Sequence, residues 1–148
     1  MADSLYFKNR PATYEFHIED RLTAGMVLTG SEIKSIRMGK LSFKDSYCYF
    51  QNRELWVKNL YIGEYHNSGY AGHEPQRDRK LLLHAREIRK WEQKAKEKGY
   101  TVVPLAIYIN DKGLAKMDIG LGKGKKLHDK RESIKNRDLD REMKRFKS

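Results

Sequence analysis

The N-terminal part of the chain alternates between apolar and polar positions. Apolar residues occupy every second position from Tyr14 to Ile18, and the pattern resumes after Gly25 in Met26 and Leu28. A period of two is typical of a strand with one buried face. The pattern predicts one long strand that bends at the glycine.

Two further pairs of apolar segments are separated by connections of hairpin length. Residues 46–50 and 55–62 are joined by four polar residues, and residues 102–109 and 114–121 are joined by Asn110–Gly113. Short polar connections between alternating segments favour antiparallel hairpins. With the N-terminal strand, these segments give five predicted strands.

Two segments have the apolar spacing of a helix. Thr29 and Glu32 have the spacing of a capping box, and Gly39 stands where a left-handed residue would end a short helix. A second helix is predicted over about 83–98, because an apolar stripe runs through it and Gly99 follows. The stripe consists of Ile88, Trp91 and Ala95.

The order of these elements predicts a mainly β fold, an antiparallel β-barrel with flanking helices. A helix inserted between the third and fourth strands is compatible with an OB-fold-like barrel, whose face and loops commonly bind nucleic acid. An SH3-like barrel stays open as an alternative. Between Gly63 and Lys80 the composition indicates a loop, long enough to suggest a binding role.

Composition divides the chain into a folded body and a basic C-terminal tail. Fifteen of the sixteen aromatic residues lie between Tyr6 and Tyr108, whereas residues 123–148 hold eleven Lys and Arg against five Asp and Glu. Such a tail buries too little apolar surface to offset its chain entropy, so it is expected to be disordered when free. The predicted division is 1–122 for the body and 123–148 for the tail.

Net charge and residue types narrow the range of possible functions. A net charge of +11 and a pI near 9.7 indicate an anionic partner such as nucleic acid. The longest apolar run, residues 102–109, is too short to span a bilayer, and the N-terminus lacks the pattern of a secretory signal. The single Cys48 fits a reducing compartment. A cytoplasmic protein is therefore expected.

Motifs that would carry catalysis or bind a metal are missing from the sequence. The spacings H-E-x-x-H, C-x-x-C and G-x-S-x-G do not occur. His66, His73 and His84 have no acidic or thiol partner at a ligand spacing. No cofactor, metal or enzymatic activity is predicted.

Two other features leave alternatives open. Gly120–Lys126 shares glycines and lysines with phosphate loops but not their spacing, and glycines that let the last strand leave the barrel are the simpler interpretation. Glu15, Glu19 and Asp20 could be proposed as the carboxylates of a Mg²⁺-dependent nuclease. The simpler interpretation is that these three residues lie on the solvent-facing side of the first strand.

A basic segment at the predicted junction of loop and helix is the better candidate site. Arg77, Arg79 and Lys80 stand directly before an apolar run that includes Leu82 and ends at His84. Guanidinium groups in such a segment could contact phosphates while His84 meets a base or sugar. Solvated surface charge is the alternative interpretation.

Three ordered motifs of the chain resemble the SmpB (small protein B) family. They are residues 30–40 followed by Asp45–Tyr47, residues 77–84, and residues 122–131. The resemblance implies an OB-like barrel without enzymatic activity. It also implies binding to transfer-messenger RNA (tmRNA) and its delivery to stalled ribosomes for trans-translation, the rescue of those ribosomes. A monomer is expected for the free protein.

The same resemblance implies the site residues. Those expected to face the tRNA-like domain of tmRNA are Arg77, Arg79, Lys80, Leu82, His84, Lys123, Lys125 and Lys126. The tail would become helical in the empty mRNA channel, and the residues expected at the ribosomal decoding centre are His128, Asp129, Lys130 and Arg131. A histidine can stack on a base, cations can meet phosphates, and an aspartate can cap a helix.

Departures from the family pattern, Pro11 and Thr23 among them, and one alternative function accompany these expectations. Thr23 stands where family members often carry an acidic residue linked to tmRNA binding, so that role is not carried over. Charge and aromatic content alone would also allow a generic single-strand RNA-binding or ribosome-associated OB protein.

Overall fold

The computed structural model describes residues 5–64 and 73–124. These residues form nine strands and three helices. In chain order the elements are β1 (Tyr6–Lys8), α1 (Arg10–Glu15), β2 (Phe16–Met26), α2 (Gly30–Arg37), β3 (Leu41–Ser42), β4 (Tyr47–Gln51), β5 (Glu54–Lys58), β6 (Tyr61–Ile62), β7 (Arg79–Leu82), α3 (Ala85–Lys98), β8 (Thr101–Ile109) and β9 (Ala115–Gly124). The predicted mainly β fold with flanking helices is confirmed.

Six strands close into an antiparallel ring, in the order β8, β4, β5, β7, β2, β9. Pairing of β9 with β8 closes the ring. The other edge of β8 pairs with β4 at Val102 and with β1 at residues 106–108. β3 and β6 form a separate two-stranded ribbon. Closure removes the open sheet edges through which chains aggregate.

The interior of the ring is apolar because alternate positions of each strand point inward. Alternate residues of β9 from Ala115 to Leu121 are buried, as are Leu55 and Val57 of β5 and Leu81 of β7. The buried residues of β9 on that face are Ala115, Met117, Ile119 and Leu121. A smaller cluster of Ala12, Val103 and Leu105 lies where α1 covers the barrel.

The predicted N-terminal strand is wrong over its first residues. Residues 10–15 form α1, with Pro11 in the first turn, where a missing N–H costs nothing. Tyr14, read as an inward strand position, lies on α1 with 68% of its surface exposed. The irregularity of β2 lies between Ile18 and Asp20, whereas Gly25 is regularly paired on both sides.

Both predicted hairpins are present, but the first is shorter than expected. Asn52 and Arg53 join β4 to β5 with φ of 53° and 65°, the positive values that a type I′ turn requires. The single strand predicted over 55–62 is interrupted at Asn59, whose φ is 63°. The residues that follow form β6, which pairs with β3 in the separate ribbon. The β8–β9 hairpin is confirmed, with Gly113 at φ 80°.

The two predicted helices are confirmed, and one boundary shifts. The Thr29 hydroxyl accepts from the Glu32 N–H at 3.2 Å, and the Glu32 carboxylate accepts from the Thr29 N–H at 2.8 Å, which completes the capping box of α2. α3 begins at Ala85 instead of 83, because residues 79–82 pair as β7 with β5 and β2. β7 is the ring strand that the sequence pattern did not reveal.

Candidate nucleic-acid interface

β7 divides the predicted basic motif between two faces of the barrel. Arg79 and Leu81 point inward and are buried, whereas Lys80 and Leu82 point outward. This follows from the strand period of two, since a helix or loop would have grouped these residues differently. The motif therefore supplies both an internal ion pair and part of an outer surface.

The inward half of the motif is a buried ion network centred on Glu32, the third residue of α2. Glu32 and Arg79 are fully buried, and the Arg79 Nε donates to a Glu32 carboxylate oxygen at 2.7 Å. Arg77 donates to both oxygens of the same carboxylate, at 2.9 and 2.8 Å. With the bond from Thr29, this carboxylate accepts four N–H groups.

This environment determines the ionisation of Glu32. Burial alone would raise the pKa of its carboxyl, but hydrogen bonds from Arg77, Thr29 and Arg79 outweigh burial and lower the pKa to about 2. The carboxylate is therefore charged at any physiological pH. A buried guanidinium needs such a partner, because an unpaired buried charge is very costly.

The expectation that Arg79 faces RNA is corrected by this burial. Its guanidinium donates to Glu32 and also to the backbone carbonyls of Leu60 at 2.7 Å and Pro75 at 3.0 Å. It thereby joins α2, the β5–β6 connection and the segment before β7. Arg79 is a positioning residue, and Arg77, with about a third of its side chain exposed, reaches the surface only in part.

His73 fastens the same segment to α2. Its Nε2 donates to the Ile62 carbonyl at 2.9 Å, which leaves Nδ1 to accept from the Ser31 hydroxyl at 2.8 Å. Both ring nitrogens are engaged, so this histidine is not presented to a metal. Within residues 5–64 and 73–124, no group of three His, Cys, Asp or Glu side chains could hold a metal ion. His66 lies outside the described residues.

The outward half of the motif belongs to a row of residues that crosses five strands. Tyr6 of β1 is paired with Tyr108 of β8, which is paired with Lys116 of β9. Lys116 is paired with Gly25 of β2, and Gly25 with Leu82 of β7. Directly opposed residues of antiparallel strands share a face. These five residues, here called the tyrosine–lysine row, form one continuous strip on the outside of the barrel.

A second outward row lies beside it and includes Lys80. Lys80 is paired with Trp56 of β5, and Trp56 with Tyr49 of β4. Lys80 forms a half-exposed ion pair with Glu54 at 2.8 Å. The Tyr49 hydroxyl donates to Asp78 at 2.6 Å, and this bond raises the pKa of Tyr49 to about 12. Aromatic rings among cations are the usual surface for single-stranded RNA.

The predicted contact at Lys123 lies elsewhere. Lys123 is exposed and paired with His17 near the start of β2, whereas Leu82 is paired with Gly25 near its end. These two β2 positions are about 26 Å apart at the rise of a strand. The structure therefore does not bring Lys123 together with Lys80, Leu82 and His84. Lys125 and Lys126, and the tail residues His128, Asp129, Lys130 and Arg131, lie outside the described residues.

The glycines near Lys123 are packing positions within β9, which continues to Gly124. A Cβ on Gly120 would lie 2.9 Å from Leu105 and 3.0 Å from Ile18. A Cβ on Gly122 would collide with the backbone carbonyl of His17. The interpretation of these two glycines as a hinge is therefore replaced by close packing of β9 against β2 and β8.

Other candidate residues have structural partners. The His84 N–H donates to the Glu87 carboxylate at 3.1 Å at the start of α3, and the exposed His84 ring lies beyond the end of β7. Asp20, considered for a nuclease, accepts from the Trp91 indole at 3.1 Å and so fastens α3 to β2. Cys48 is buried, and burial raises the pKa of its thiol.

Lys116, Tyr6, Tyr108 and Trp56 are the surface residues that the sequence did not single out. Trp56, Tyr108 and Lys116 lie in segments that were predicted as strands, whereas no strand was predicted at Tyr6. Their common location was not visible, because it depends on registers between strands far apart in the chain. None of the helices among the described residues has the length and apolarity needed to cross a membrane.

Comparison with known proteins places these features in a family. The family model described as SmpB protein matches residues 6–148. The chain belongs to the SmpB family. The resemblance seen in three sequence motifs is thus confirmed over nearly the whole chain.

Relatives within the SmpB family are similar along their full length. The chain is 54% identical to the SsrA-binding protein of Phocaeicola vulgatus, over 94% of this chain and 93% of that protein. It is 52% identical to the SsrA-binding protein of Bacteroides thetaiotaomicron, over 97% and 95%. The SsrA-binding protein of Geobacter sulfurreducens is 48% identical, over 97% and 93%.

A solved structure of the SmpB family shares the fold. It is described as "tmRNA-SmpB: a journey to the center of the bacterial ribosome", and its matching chain is 44% identical with a TM-score of 0.69. The match covers 81% of this chain and 84% of that one. Thr23, the position that departs from the SmpB pattern, donates to the Asp118 carboxylate at 2.9 Å. An acidic group is therefore present beside Thr23, on the neighbouring strand.

Proposed function

We propose that this protein binds the tRNA-like domain of tmRNA and delivers it to stalled ribosomes for trans-translation. The observation that carries the proposal is a continuous outer surface of cations and aromatic rings on the barrel of an SmpB-family chain. The function is one of binding and includes no chemical step. It operates in the bacterial cytoplasm, where ribosomes translate.

The outward residues of the two rows are the tmRNA contacts in this proposal. Lys80 and Lys116 meet phosphates, Leu82 gives an exposed apolar contact, and His84 meets a base or sugar. Leu82 is 52% exposed and lies in the same row as Lys116. Arg79 and, in large part, Arg77 act through Glu32 by holding the segment before β7 in place.

In the proposal, the basic run that begins beside the start of β2 serves a second function. Lys123 begins a basic run that continues in Lys125 and Lys126. From there the tail enters the empty mRNA channel, where the residues that engage the decoding centre are His128, Asp129, Lys130 and Arg131. The strand register supports this division, because Lys123 lies about 26 Å along β2 from the Leu82 end.

Equilibrium binding to the tRNA-like domain tests the first function. Ordinary tRNA and a length-matched single strand serve as competitors over a range of salt concentrations. We expect a preference for tmRNA of at least tenfold, about 1.4 kcal/mol, that persists as salt rises. Lys116→Ala should weaken binding, and Lys96→Ala, an exposed lysine on α3, is the matched control.

The generic RNA-binding alternative gives the opposite result. A protein that reads only phosphates would hold all three RNAs with similar affinity, and the three affinities would fall together as salt increases. That outcome would reject the proposal.

Removal of the tail tests the second function. A chain ending at Lys126 should keep its affinity for the tRNA-like domain but lose ribosome rescue in a reconstituted translation assay. Alanine substitutions at His128, Lys130 and Arg131 in the full chain should reproduce that loss. If truncation reduced tmRNA affinity as strongly as rescue, the division between body and tail would be wrong.

A further inference from the structure

Tyr6 is an exposed aromatic residue whose side chain the core does not need. It is 52% exposed, although β1 is already held by backbone pairing with β8 and by Phe7, which packs against the core. Its ring stacks on the ring of Tyr108, with centroids 5.9 Å apart and planes 21° apart. One side of the Tyr6 ring is therefore supported, and more than half of the side chain remains open.

The supporting ring, that of Tyr108, lies on a strand inside the sheet. Tyr108 is only partly exposed, and its strand β8 is paired with β1 on one side and with β9 on the other. A stacked pair of rings held in this way loses little further conformational freedom when a third ring is added. Preorganised aromatic rings bind planar ligands well for that reason.

Cations flank the pair on the same outer face. Lys116 is the register partner of Tyr108, and Lys8 lies two positions along β1 from Tyr6 and is exposed. Tyr6 is thus an exposed ring with one cation farther along β1 and another two strands away on β9. This arrangement fits a nucleotide, in which a planar base is linked to phosphates. A hydrophobic protein partner would not require the two lysines.

We propose that the Tyr6–Tyr108 pair is a stacking platform for one unpaired nucleobase of the bound RNA, with Lys8 and Lys116 on the flanking phosphates. This inference rests on the proposed function and extends the RNA surface from β7 to the N-terminal strand. The base adds to the supported stack on the open side of Tyr6. Any base can do so, because all bases have a π face.

The test measures binding of the full chain to the tRNA-like domain with two substitutions at Tyr6 and one control substitution at Tyr14. Tyr6→Phe should bind normally, since it keeps the ring. Tyr6→Leu should bind about 5- to 150-fold more weakly, the range for loss of one stacked base, with no change in the salt dependence. Tyr14→Ala, an exposed tyrosine on α1, is the control and should bind normally.

A scan of the RNA identifies the base. Abasic substitutions at each unpaired position of the tRNA-like domain should include one that weakens wild-type binding but has no further effect in Tyr6→Leu. Equal binding by wild type and Tyr6→Leu, or weakening by Tyr6→Phe as large as by Tyr6→Leu, would overturn the stacking platform. Loss of the tmRNA preference in the wild-type protein would instead overturn the proposed function, so the two failures are distinct.

Discussion

Glu32 is the buried side chain that holds the segment before β7 against α2. Its carboxylate binds Arg77 and Arg79 and caps α2 through Thr29. Two parts of the chain that are distant in sequence, the start of α2 and the segment around Arg77 and Arg79, therefore meet at one buried charge. Neutralising that charge leaves the guanidinium of Arg79 buried without a counterion.

Glu32→Gln should therefore lower the free energy of unfolding by about 3–5 kcal/mol, the usual cost of breaking a buried pair. Urea denaturation measures this change. Glu54→Gln is the matched control, because the Glu54–Lys80 pair is half-exposed and such pairs contribute about 0–1 kcal/mol. Equal losses for the two variants would mean that burial of Glu32 is not what makes its pair important.

The depressed pKa of Glu32 also predicts a dependence of stability on pH. Because the folded-state pKa is about 2, below the ordinary value for glutamate, the folded state binds this proton less readily than the unfolded state. The contribution is fully present above about pH 5 and is lost as pH falls towards 2. Stability measured from pH 7 to pH 2.5 should fall less steeply in Glu32→Gln than in the wild type.

Among the secondary structure elements, β9 is the one whose glycines leave the least space for an added side chain. It lies between β2 and β8, and its glycines let those neighbours approach closely. At Gly122 the neighbour is the backbone carbonyl of His17, which cannot move without disrupting the pairing of β2.

Gly122→Ala should consequently destabilise the fold by at least about 1–3 kcal/mol, the range for overpacking. Gly124→Ala provides a control in the same strand, because its Cβ would lie 3.7 Å from the Phe16 ring, an ordinary contact. Thermal unfolding should show a clear loss of Tm for the first variant and little change for the second. Similar Tm values for both would contradict the packing described for β9.

In the β4–β5 hairpin, by contrast, one substitution is expected to raise the free energy of unfolding. Arg53 has a φ of 65°, a left-handed conformation that costs a non-glycine residue roughly 1 kcal/mol. Arg53→Gly should therefore raise the free energy of unfolding by up to about 1 kcal/mol. Denaturation of the variant measures it, and a loss of stability would show that the arginine side chain has a compensating role.

These elements also show what a sequence can and cannot reveal. The capping box of Thr29 and the left-handed Gly39 and Gly99 were predictable because their signals are local. β7 was not, because a four-residue strand following a loop is indistinguishable from the first turn of α3 until its partners are known. The inward position of Arg79 depended on that strand, so its burial was unpredictable for the same reason.

For the molecule as a whole, β2 separates the two basic regions. Lys116 and Lys123 lie towards opposite ends of β9, seven residues and about 23 Å apart at the rise of a strand. Mutational effects at such distances add when no partner is shared. Lys116→Ala and Lys123→Ala should therefore change the free energy of RNA binding additively, within about 0.5 kcal/mol. A coupling above about 1 kcal/mol would mean that both lysines act on the same part of the RNA.

The ring of strands is closed by partners that are far apart in the chain. Phe16 of β2 pairs with Gly124 of β9, more than a hundred positions away, and outside the ring Tyr6 of β1 pairs with Tyr108 over a similar separation. During synthesis β1 and β2 leave the ribosome long before β8 and β9 exist. Long-range pairing of this kind makes folding slow. A chain released before residue 115 would keep the backbone edges of β2 and β8 open to other chains, which is a route to aggregation.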